Sequence, residues 1–236
     1  MNQLQTQASN KFEIMTDSGI IKLDPMTVRN YIVGSNTKIT DQEVMMFIGF
    51  CKANKLNPMN KDVHLIKYGD APATWVTSKD VFLKRAITNP KYRGMKSGIV
   101  ILNSDGAMIE REGTIHIKGQ ETILGAWAEV KREGWEDPTR VTVAFEEYAG
   151  MKGNALNAQW AKRPGFMIQK VAESQALRKT FVDDMQGMYT EEEMNVDLST
   201  VPAPQPQQQE VITVDPDDMP FDHKQAPKKN DGRKFL

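Results

Sequence analysis

The chain has 236 residues, a net charge of −1 and a pI near 6.3. That length suits one sizeable core with an appendage rather than several domains. No apolar run reaches the ~18 residues of a membrane span, and the N-terminus lacks the basic-then-apolar order of a secretory signal, so a soluble, intracellular protein is expected. The single cysteine, Cys51, excludes an internal disulfide, and its apolar setting suits a buried small side chain.

Residues 1–23 read as an N-terminal arm. Asp24-Pro25 opens a helix into MTVRNYIV, since an aspartate caps and a proline fits the first helical position. Thr40-Asp41 caps a second helix, QEVMMFIGFCKANKL, in which Val44, Phe47, Ile48 and Cys51 recur at helical spacing before Asn57-Pro58 stops it. Strand patterns follow at VHLIKY (63–68), ATWV (73–76), GIVIL (98–102), TIHIK (114–118) and ILGAWAEVKRE (123–133). Turn signals at Tyr68-Gly69-Asp70 and Ser104-Asp105-Gly106 favour antiparallel pairing. One helix, SKDVFLKRAIT from Ser78, interrupts the strands, and a last one starts at Pro164 and runs to about residue 186. The fold class expected is α+β: a small antiparallel sheet packed with several helices. From residue 198 onward six of the twelve prolines and many glutamines mark a disordered tail. The organisation is then an arm over 1–23, one domain over 24–197 and a Pro/Gln-rich acidic tail over 198–236.

The near-neutral total charge argues against a nucleic-acid binder, but it hides a segregation. Between Lys152 and Lys179 six basic residues face one acid, Glu173, a local balance of +5. Between Asp183 and Asp197 six acids stand with no basic residue. On a helix at about 100° per residue, Arg163, Lys170, Ser174 and Arg178 fall within an arc of roughly 80°, and Met167, Ile168, Val171, Ala172 and Ala176 supply apolar positions on the same helix. Trp160 and Lys162 lie just before this stripe. Cations beside an aromatic ring suit single-stranded nucleic acid, charge following the backbone and the ring stacking on bases. Lys61, Lys67 and Lys79 belong to a second basic set, interleaved with Tyr68, Trp75 and Tyr92. The bland alternative for both sets is a solvated face with the tryptophans in the core.

Other chemistries are not served. No GxxxxGK[ST] phosphate loop occurs, which argues against an ATPase. The three histidines stand singly and the acids are consecutive rather than converging, so neither a zinc site nor a metal-dependent nuclease is expected, and no cofactor is called for.

Three blocks carry a resemblance. The first is Leu56-Asn57-Pro58 followed by Lys61-Asp62-Val63-His64; the second is TWVTSKDVFLKRA from Thr74 to Ala86. The third and most specific comprises Gln159-Trp160, Pro164, Met167-Ile168, Lys170, Ala172, Ala176-Leu177-Arg178 and Phe181, with Gly187-Met188-Tyr189 and Glu191 to Glu193 after it. In order and spacing these resemble the Bet (Red beta) group of phage recombination proteins, within the RecT-like single-strand annealing proteins. Val81 departs from the family's glycine after the Asp. The resemblance implies ATP-independent binding and annealing of single-stranded DNA by a helical or ring oligomer, without bond-breaking catalysis. Lys61, Lys162, Lys170 and Arg178 are then the leading phosphate contacts, with Lys67, Lys79, Trp160 and Arg163 completing the DNA-binding set. A 5′ to 3′ exonuclease, the host single-strand binding protein and the bacterial cytoplasm are the implied partners and location. From the charge segregation alone, the acids at Asp183-Asp184 and Glu191 to Glu193 are expected to meet a neighbouring subunit's basic surface.

The tail segment from Val214 to Phe221 is similar to the acidic tip of bacterial single-strand binding proteins. This keeps a second reading open: a passive single-strand binding protein with a partner-recruiting tail.

Overall fold

A computed structural model describes residues 11–33, 38–194 and 196, all of them in the unit Met1–Gln205. The tail over 198–236, with its acidic motif, lies outside the described residues, as do residues 1–10.

The chain opens on an antiparallel hairpin, β1 (Phe12–Thr16) and β2 (Gly19–Leu23), in register from Phe12↔Leu23 to Thr16↔Gly19. Ile14 and Leu23 are wholly buried in the core shared with the rest of the fold. The hairpin tip is tied down as well: the Asp17 amide donates to the Lys55 carbonyl (3.1 Å), and Arg85 Nε donates to Asp17 Oδ2 (3.1 Å). At five residues each, the two strands show too little alternation to announce themselves in the sequence.

Helix α1 (Pro25–Thr27) begins as expected, Asp24 Oδ1 accepting from the Thr27 amide (2.8 Å), and continues as a π-helical turn over Val28–Val33. Helix α2 (Asp41–Ala53) carries a capping box: Thr40 Oγ1 accepts from the Glu43 amide and Glu43 accepts from the Thr40 amide. This satisfies two orphan donors at the helix start, and Val44, Phe47, Ile48 and Cys51 turn inward as their spacing predicts. A 3₁₀ turn (Pro58–Asn60) leads to the hairpin β3 (Val63–Ile66) and β4 (Thr74–Thr77), then to α3 (Lys79–Thr88), capped by Ser78.

The central sheet has strand order β6-β5-β7-β8, all antiparallel, from β5 (Tyr92–Leu102), β6 (Met108–Glu112), β7 (Thr122–Arg132) and β8 (Thr139–Ala144). The remaining elements are α4 (Phe145–Tyr148), the short pair β9 (Met151–Lys152) and β10 (Ala155–Leu156), α5 (Ala158–Lys162), α6 (Pro164–Thr180) and α7 (Val182–Met185). Helices around a small antiparallel sheet make this the α+β fold that the pattern indicated.

Helix α6 lies along the sheet, against β5, β7 and β8. Small residues on the sheet, Ala126 and Ala128, let the helix approach, and Val130, Val141 and Val143 complete the buried surface. Met167, Ile168, Val171 and Leu177 answer from the helix, each worth about 1.5–3 kcal/mol for its burial. Gly98 marks a close approach of β5 and β6. A Cβ there would lie 1.9 Å from the Arg111 carbonyl oxygen, so only glycine admits the end of β6 at this point.

The segment 114–118 is not a strand, despite its alternating TIHIK pattern. Residues 113–121 form a loop, pinned by Arg111, which forks onto Glu121 (2.9 and 3.0 Å) and donates to the Ile115 carbonyl (2.9 Å). Its isoleucines face outward, Ile115 being 80% exposed, so the alternation here does not divide a buried from a solvated face.

Candidate functional site

The structure gathers part of the anticipated basic set on one surface, where β4, the start of α3 and α6 meet. Asn157 caps α5 by accepting from the Gln159 and Trp160 amides (3.1 Å each), and Pro164 starts α6 at once. Lys162 and Arg163 sit at this junction, both exposed and without an ion pair among the described residues. Trp160 is elsewhere: its ring is 3% exposed and packs edge-on against Phe145 at 5.5 Å. It supports the junction from beneath and offers no open face to a base.

Farther along α6 the cationic stripe exists, but it is not an open face. Ser174 is fully buried and donates to the Lys170 carbonyl (2.8 Å). The acidic segment after Met188 covers the stripe. Lys170 pairs with Glu191 (3.2 Å) and with Glu192. Arg178 forks onto Glu193 (2.8 and 2.5 Å) and donates to the Met188 carbonyl (3.3 Å). The segment is anchored to β4 through the Thr77 amide, which donates to the Tyr189 carbonyl (2.7 Å). The consecutive acids therefore satisfy cations of their own chain, where the sequence reading assigned them to a neighbour. Partners 21 positions apart (Lys170 and Glu191) and 15 apart (Arg178 and Glu193) are brought together only by the turn after α7.

Burial shapes the charges. Burial of the Lys170 ammonium opposes its charge, but Glu192 and Glu191 outweigh it and its pKa is raised. Glu191 moves up to about 7, because it is buried and lies beside Glu192, against the pull of Lys170. Glu191, buried beside a second carboxylate, ionises less easily than an isolated acid.

Lys79 reaches across from α3 to Glu173 of α6, whose Oε1 also accepts from Ser97 (2.6 Å) and Gln169 (3.1 Å). Lys61 is exposed, in the left-handed conformation (φ 63°) at the end of the 3₁₀ turn. Its charge acts on His64, whose pKa is lowered first by burial and then by this lysine. Lys67 is not part of the cluster. It donates to Glu43 of α2 (2.7 and 3.0 Å), and with the Thr40 and Ala73 amides it holds that carboxyl down at about 2.

Two exposed aromatics that the sequence reading did not select lie on the stripe. Phe166, one turn before Lys170, is 46% exposed with the ammonium 5.9 Å from its ring centre. Tyr189, equally exposed, lies 4.6 Å from the Arg178 guanidinium. The i, i+4 spacing of Phe166 and Lys170 was the available signal. Among the described residues no three His, Cys, Asp or Glu side chains gather as a metal site, and no helix is long and apolar enough to cross a membrane.

No curated protein matches the chain. The RecT family model matches residues 23–210, which takes in α1, the sheet, α6 and the acidic segment over it. The chain belongs to the RecT family, whose members anneal single-stranded DNA in recombination.

Proposed function

We propose that the protein binds single-stranded DNA along the surface formed by the head of α6, the start of α3 and the turn at Lys61, and pairs it with a complementary strand without nucleotide hydrolysis. Lys162, Arg163 and Lys61 are the first phosphate contacts, being exposed and without ion pairs among the described residues. Lys79, Lys170 and Arg178 form the floor, and Lys67 and Trp160 act by supporting α2 and α5. The observation that carries this reading is the line of cations from Lys162 through Lys170 to Arg178 at and along one helix of a RecT family chain.

Annealing needs no covalent catalyst, because stacking supplies about 1.4 kcal/mol per base-pair step. The protein's part is to neutralise phosphate repulsion and hold bases accessible, which a basic surface repeated in a homo-oligomer does along a whole strand. Glu193 holds the Arg178 side chain in place while no strand is bound, and phosphates compete with it; Lys79 and Lys170 stay paired with Glu173, Glu191 and Glu192 beneath the strand. A 5′ to 3′ exonuclease that generates the strands and a host single-strand binding protein are the partners this role requires, in the bacterial cytoplasm.

The test mixes two complementary labelled oligonucleotides with the purified protein and no nucleotide. Acceleration of pairing, lost in Lys162→Ala with Arg163→Ala, supports annealing at this surface. Tight binding of each strand with slower pairing favours the passive single-strand binding reading instead.

A further inference from the structure

Beside the stripe lies a cavity of about 270 Å³, bounded by His64, Ser78, Lys79, Phe166, Lys170 and Glu191. Cavities that enclose drug-sized ligands start near 300 Å³, so this one suits a single flat ring system. Its cations do not make it an anion site. Lys79 is neutralised by Glu173, and Lys170 by Glu191 and Glu192, all within the chain. A phosphate would enter among carboxylates and gain little.

The walls favour a different group. Phe166 presents an exposed ring with the Lys170 ammonium near it. An aromatic wall beside neutralised charges matches a nucleobase, which stacks by its face.

We propose that this cavity receives one nucleobase of the bound strand, stacked on Phe166, while the neighbouring phosphates run over Lys162, Arg163 and Lys61. Phe166 is thereby a DNA-positioning residue that sets where the strand's bases sit relative to the helix. The inference rests on the proposed single-strand binding and adds a base-specific contact to it.

The experiment measures affinity of the full chain for an ordinary oligonucleotide and for one of equal length whose bases are replaced by abasic sites. Phe166→Ala is expected to weaken the ordinary strand roughly 5- to 150-fold, the range for loss of one stacked base, and to leave the abasic strand unchanged. Phe166→Trp should restore the ordinary strand. Quenching of a 2-aminopurine base on binding, abolished by Phe166→Ala and regained in Phe166→Trp, supports the stacking directly. Equal affinity of wild type and Phe166→Ala for the ordinary strand overturns the base pocket and leaves phosphate binding standing. Failure of the wild type to bind either strand overturns the DNA-binding reading itself.

Discussion

The guanidinium of Arg178 in α6 and the carboxylate of Glu193 in the following turn meet through two parallel hydrogen bonds, at 2.8 and 2.5 Å, with Tyr189 lying on the arginine. The pair is largely buried, and one partner left alone would keep an uncompensated charge in a dry site. Glu193→Ala should therefore destabilise the fold by about 3–5 kcal/mol. It should at the same time tighten single-strand binding at low salt, because Arg178 is released to phosphates. Thermal unfolding and fluorescence anisotropy check the two halves; lower stability with unchanged binding would remove Arg178 from the DNA surface.

Lys162 and Arg163 stand at the opposite limit. Both are exposed without ion pairs among the described residues, so their joint replacement by alanine should change stability by less than about 0.5 kcal/mol. The slope of log affinity against log salt should fall by about 1.4, at roughly 0.7 for each single-strand phosphate that is no longer neutralised. A titration over a range of salt concentrations reads this directly.

The pH profile should carry the mark of Glu191. Burial beside Glu192 raises its folded-state value to about 7. The folded chain then holds a proton that the unfolded chain releases at an ordinary carboxyl value. The resulting stabilisation is complete below about pH 4.5 and is lost as pH rises through about 7. Glu191→Gln should flatten that decline in denaturant unfolding between about pH 5 and 8. An unaltered profile would place the titration elsewhere.

Gly98→Ala tests the close approach of β5 and β6. The added methyl would meet the Arg111 carbonyl oxygen at 1.9 Å, where backbone on both sides must shift. A loss of about 1–3 kcal/mol or more is expected, as for overpacking elsewhere, measured as a lowered denaturation midpoint.

The local layout of the candidate site was legible without coordinates because its signals are local. Helical spacing put Lys170 and Arg178 on one stripe, and the caps at Asp24, Thr40 and Ser78 marked where three helices begin. The TIHIK loop shows where local reading fails, since alternation means a strand only when a neighbour buries one face. The exposed Trp anticipated at position 160 is a core residue for the same reason: exposure belongs to the packing, here Phe145 over the ring.

The sequence by itself determined where α1, α2, α3 and α6 begin, the α+β class and the identity of the basic residues, since caps, periodicity and charge act over a few residues of chain. The tertiary structure alone decided which of those cations are free. Ion pairs join Lys67 to Glu43, Lys79 to Glu173, and Lys170 and Arg178 to the acids after Tyr189. Whether a lysine faces solvent, a carboxylate or a cavity depends on chain segments that meet only when the core closes.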